Sequence, residues 1–71
     1  MTAYRQEAIR CVRLLGDGPL ALRSLRASGT VPNAGRIVAA DYYGWFERVA
    51  RGTYGLSPAG LSMLAALDLD A

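Results

Sequence analysis

The sequence has no histidine, no lysine and a single cysteine among its 71 residues. Without histidine there is no Ser-His-Asp triad and no imidazole base, and most zinc sites lose their usual ligand. The lone Cys11 can form no internal disulfide, whereas a small secreted domain usually carries several. It falls in an apolar helical pattern, which predicts a packed thiol rather than a reactive one. No apolar run approaches the ~20 residues that span a membrane. The start, Met1-Thr2-Ala3-Tyr4-Arg5, lacks the apolar stretch of a signal peptide. These absences predict a cytoplasmic chain with no membrane partner. There is no P-loop and no GxGxxG. The internal carboxylates Glu7, Asp17, Asp41 and Glu47 are scattered, so no paired acid/base site is indicated. The expectation is a chain that is not an enzyme, with no catalytic residue, cofactor or metal.

What is present is apolar and helix-favouring. Hydrophobic residues make up 52% of the chain, more than a disordered segment carries, and many are Ala and Leu. All eight basic residues are arginine, against six acids, for a net charge of +2. Two of the acids, Asp68 and Asp70, stand in the last four residues; without them eight arginines face four acids, leaving +4. That balance permits a nucleic-acid partner without requiring one.

The whole chain, 1–71, reads as one domain. Tyr4, Ala8, Cys11, Val12 and Leu15 share one face of a first helix over 3–15, with Thr2 as N-cap. Ile9 widens that face. Gly16-Asp17-Gly18-Pro19 ends it. Pro19-Leu20-Ala21 is a minimal edge strand. A second helix over about 22–28 turns Leu22 and Leu25 inward and Arg23 and Arg26 outward, and Gly29 terminates it. Thr30-Val31 forms a turn, with Val31 plugging the core. A third helix over about 32–42 starts at Pro32. Ala34, Ile37, Val38 and Asp41 or Tyr42 mark its inward side; Asn33, Arg36 and Ala40 its outward side. Gly44 breaks the pattern. Trp45 to Val49 alternates as a strand, Ala50-Arg51-Gly52-Thr53 turns with a positive φ at Gly52, and Tyr54-Gly55-Leu56 returns. Ser57-Pro58 opens a last helix over about 58–67, packing Leu61, Leu64 and Leu67; residues 68–71 are expected to fray. An isolated hairpin is unstable in water, so Trp45 or Phe46, Val49, Tyr54 and Leu56 must anchor it.

The order helix-strand-helix-helix-hairpin-helix, mainly α with a small hairpin, predicts an α+β winged helix-turn-helix. In that arrangement the third helix enters the major groove. Arg36 can then bind guanine and Asn33 adenine, each bidentately, and Ala40 is positioned to meet a thymine methyl. Arg51 and Gly52 sit at the tip of the wing (about 49–54), with Arg48 nearby, and a wing arginine suits a narrow minor groove. Arg23 and Arg26 are placed to hold phosphates. The bland alternative is that all of these merely solvate exposed faces. The expected partner is double-stranded DNA, bound by a small transcription regulator or by the targeting module of a larger DNA-processing protein, with a homodimer or a larger parent protein as further possibilities. The alternative function is a protein-interaction or dimerisation module that binds no DNA. Arg5, Arg10 and Arg13 read as solvated charges. The aromatics around the hairpin read as core, and an exposed one would point to a protein interface.

The stretch YGWFERVARGTYGLSPAG, Tyr43 to Gly60, resembles the wing of many bacterial winged-helix domains. More narrowly, residues 8–60 resemble the small C-terminal module of a bacterial family whose main domain is of the PD-(D/E)XK nuclease type. The shared features are GPL at 18–20, YGWFERV at 43–49 and RGTYGL at 51–56. The resemblance implies an accessory module of a DNA-processing protein. The nuclease motif itself, clustered carboxylates with a lysine, has no counterpart in these residues.

Overall fold

The computed structural model describes residues 3–27, 31 and 33–70. The proposed cap Thr2, the stop Gly29, the turn residue Thr30 and the helix-opening Pro32 lie outside the described residues. The elements run α1 (Ala3–Leu14), a 3-10 turn (Leu15–Asp17), β1 (Leu20–Ala21), α2 (Leu22–Ala27), α3 (Ala34–Ala40), β2 (Phe46–Ala50), β3 (Thr53–Leu56) and α4 (Pro58–Asp70). Among the described residues the protein is thus α+β, with four helices and one antiparallel sheet in the order β1-β3-β2. No helix among the described residues is long and apolar enough to cross a membrane.

Three local devices fix the connections. Gly18, at φ 136°, releases the chain from the 3-10 turn into β1; a side chain is rarely accommodated there. Asp41 ends α3 in the left-handed conformation, φ 49° and ψ 48°, which Asp tolerates better than most residues. Its N–H donates to the Ile37 carbonyl at 3.0 Å, and its Oδ1 accepts the Phe46 N–H at 2.9 Å. That carboxylate therefore splices α3 to β2, and it explains why α3 stops at Ala40 rather than continuing to Tyr42. Ser57 starts α4: its Oγ accepts from the Gly60 N–H at 3.1 Å, the cap expected of Ser-Pro.

The core joins Ala8, Cys11, Val12 and Leu15 to Leu25, Val31, Ala34, Ile37, Val38, Trp45 and Phe46. Val31 is fully buried, as its place between α2 and α3 suggested. Burial pushes the Cys11 thiol up to about 11, with the charge of Glu7 adding to the shift. The thiol stays protonated and inert at neutral pH.

Several expectations need correction. Val49 does not anchor the hairpin: it is 47% exposed, because β2 is an edge strand with only Phe46 turned into the core. A register shift between Arg48 and Ala50 further turns this edge. Leu61 is 56% exposed; α4 packs Leu64, Leu67 and Met63, each half-buried, against the core instead. The helix persists to Asp70 rather than fraying after 67. Tyr42 points out, 77% exposed.

Candidate nucleic-acid interface

Two of the eight arginines, Arg26 and Arg36, come together where α2 meets α3. Leu25 is buried on the inner side of α2 while Arg23 and Arg26 are exposed on the other. On α3 the buried residues are Ala34, Gly35, Ile37 and Val38, and Arg36, Ala39 and Ala40 are exposed. Gly35 faces α2. A Cβ built there would lie 3.5 Å from Arg26 Nε and 3.6 Å from Leu22 Cδ2. The Arg26 guanidinium is therefore laid across Gly35, beside Arg36. Arg26, Asn33, Gly35 and Arg36 together line a concavity of about 330 Å³. That volume is within the range of small-molecule pockets, but those are lined mainly by apolar side chains. Here the lining is two guanidiniums and an amide, with no carboxylate among the described residues. Two arginines converging on one polar hollow suit an acceptor-rich ligand, a phosphate or the acceptor edge of a base. The Asn33 side chain makes no cap hydrogen bond to α3, so its amide is not committed to the helix start.

Gly35 is needed for neither strain nor clearance. Its distances to Arg26 and Leu22 are ordinary van der Waals contact. Gly35→Ala is expected to stabilise the protein by about 1 kcal/mol through helix propensity, read as a rise in the urea midpoint. A fall would mean that the two helices are pressed more tightly than these distances imply.

The hairpin reaches the same region. The Leu22 N–H donates to the Gly52 carbonyl at 2.8 Å, tying the turn to the first residue of α2. β3 also pairs with β1, Leu20 opposite Tyr54 and Ala21 opposite Thr53. Arg51 and Arg23, each next to one partner of the turn bond, are consequently held at one end of the sheet. Gly52 has the expected positive φ, 69°. Arg48 stands on β2 opposite Tyr54 and is exposed. Of the eight expected contact residues, Arg26, Asn33 and Arg36 come together in one hollow. Arg23 and Arg51 are sequence neighbours of the two residues of the turn bond, Leu22 and Gly52. Ala40 and Arg48 are exposed without joining either group.

One arginine expected to be merely solvated is not. The guanidinium of Arg5 lies 5.4 Å from the Tyr43 ring centroid and 5.5 Å from that of Trp45. Those rings stack on each other at 4.5 Å, so this cation is held by two π-faces. Tyr4 and Tyr42 extend the cluster edge-to-face at 6.0 Å. The partners are about forty positions apart in the chain, and no local pattern could have signalled the contact.

No three residues of the kinds that bind metals come together among the described residues, and the sequence has no lysine. The residues present therefore do not fit the carboxylate-and-lysine motif of a PD-(D/E)XK centre, and no chemical step is routed through them. No curated protein and no solved structure matches the chain. A family model does match, over residues 1–63; it agrees with the resemblance to a PD-(D/E)XK family and overturns the expectation that the chain is not an enzyme, because the family's description is that of an enzyme. The chain belongs to the family described as "Putative PD-(D/E)XK phosphodiesterase (DUF2161)".

Proposed function

We propose that this chain is a winged helix-turn-helix module that holds duplex DNA for a phosphodiesterase of the PD-(D/E)XK kind. The observation that carries the reading is the hollow between α2 and α3, where Arg26 and Arg36 flank Gly35 with Asn33 beside them. Two further features support it. The order of elements suits a recognition helix at α3 and a wing at β2–β3. Membership of a phosphodiesterase family favours a phosphodiester polymer as the ligand. In this reading Arg26 and Arg23 hold backbone phosphates and set register. Asn33 and Arg36 reach base edges in the major groove, and Ala40 contributes at most a methyl contact. Arg51, at the wing tip with Gly52, and Arg48 behind it meet the flanking phosphates or the minor groove. Four arginine–phosphate contacts give a log–log salt slope of about −3 to −4, which makes the module a positioning device rather than a tight binder.

The test is fluorescence anisotropy with a labelled random duplex across a salt series. Binding at low salt should weaken log-linearly with that slope. Arg51→Ala should flatten the slope by about one unit on every sequence. Arg36→Ala should weaken binding in a sequence-dependent way. No binding at low salt, or unchanged affinity in both variants, would sink the assignment.

A further inference from the structure

We infer that α4 is a dimerisation surface whose occupant is a second copy of this chain, packed antiparallel across a twofold axis near Ala65. The inference does not rest on the DNA reading.

The outer face of α4 is the starting point. Leu61, Ala65 and Leu69 recur every four residues and all three are exposed, Leu69 at 86%. At 100° per residue they fall within one narrow arc of the helix. Ser62 and Ala66 border that arc and are also exposed. Met63, Leu64 and Leu67 pack on the core from the opposite side. A helix that is apolar on both sides is normally covered on both.

The surface beside α4 holds the complement. Leu61 forms one wall of a groove of about 190 Å³, whose other walls include Leu15, Pro19, Val49 and Leu56, with Glu47 as its charged lining residue. The groove is large enough for one leucine side chain. The exposed Val49, unexplained by the hairpin's own packing, is part of this wall. A knob (Leu69) and a hole (the groove at Leu61) thus lie on one surface, two helical turns or about 12 Å apart. An isologous contact requires that arrangement, because each copy must supply both halves. Midway between them stands Ala65, small enough for two helices to cross closely. Leu69 of each copy then enters the groove at Leu61 of the other.

Charge selects the antiparallel direction. α4 carries no basic residue in its last turn, and Asp68 lies there at the negative end of the helix. A parallel pair would set Asp68 beside its own copy. An antiparallel pair crossing at Ala65 keeps the two Asp68 carboxylates apart and sets each beside the partner's Ser62. Arg13 and Asp17 share a shallow hollow with Asp68 in the same chain, and neither is on the stripe.

The experiment is sedimentation equilibrium of the 71-residue chain from low to high micromolar concentration. The expected mass rises with concentration from the 7.6 kDa of one chain toward twice that value. Leu69→Glu, a change at an exposed site, should hold the mass at one chain throughout and leave the circular dichroism spectrum unchanged. Ala65→Cys should form a disulfide-linked dimer on mild oxidation, while Ser24→Cys, exposed on α2, should not; Cys11 is buried and does not compete. A mass of one chain at every concentration overturns the proposal. So does a dimer that survives Leu69→Glu, or equal cross-linking of the two cysteine variants.

Discussion

Gly60→Ala is expected to destabilise the protein by about 3 kcal/mol, the upper end of what an added methyl costs in a packed site. The added Cβ would collide with the Trp45 carbonyl oxygen and come within 3.1 Å of Leu56 Cδ2. The first obstacle is backbone, so no rotamer change relieves it. That carbonyl is also engaged, accepting the Ser57 N–H at 2.9 Å. The Ser57 hydroxyl donates in turn to the Gly44 carbonyl at 2.6 Å. Moving Trp45 aside would break this clamp and unstack Trp45 from Tyr43. A domain of this size has roughly 4–10 kcal/mol of total stability, so the variant should lose several molar units of tolerance to urea or fail to fold. Gly60→Ala with an unchanged urea midpoint would show that α4 approaches the Trp45 backbone less closely than described.

The second large effect is expected of Leu25→Ala. Leu25 is fully buried and is the buried residue of α2. Truncation leaves a cavity and costs about 2–5 kcal/mol. Leu25→Met keeps the volume and should cost less than about 1.5 kcal/mol. The consequence reaches the cationic hollow, because α2 has only six residues and cannot hold its shape unsupported. If the hollow binds phosphate, Leu25→Ala should weaken DNA binding even at temperatures where the protein remains folded, and Leu25→Met should not. Equal binding by both would mean that Arg26 and Arg36 act without the support of α2 packing.

Much of this architecture could be read in the residues, because local rules governed it. Ser57-Pro58 starts a helix wherever a hydroxyl can accept from the third N–H. Gly52 supplies the one conformation its turn allows. The 3.6-residue period marked Ala8, Cys11 and Val12 of α1 and Leu15 just beyond it as buried, but it also placed Tyr4 on that face, and Tyr4 is 39% exposed. Periodicity failed on α4, where leucine and alanine surround the helix and spacing cannot tell which face is covered. It failed on β2 because an edge strand need not bury its alternate residues. Asp41 ended α3 earlier than expected, through a hydrogen bond to a residue in the next element. The clash that forbids a side chain at Gly60 arises fifteen residues away. The candidate arginines were named from outward spacing, yet the laying of Arg26 over Gly35 is tertiary and had no local signal. The family connection to an enzyme was not deducible from catalytic groups, since the motif that would announce it is not among these residues.

The bond from Leu22 to the Gly52 carbonyl also constrains how the hairpin can diverge among related chains. One inserted residue would displace that carbonyl by about 3.3 Å, beyond the reach of the Leu22 N–H. It would also shift Thr53 and Tyr54 against β1. Length variation at the tip thus works against this bond and the β1 register, whereas replacing the side chain at Arg51 leaves both in place.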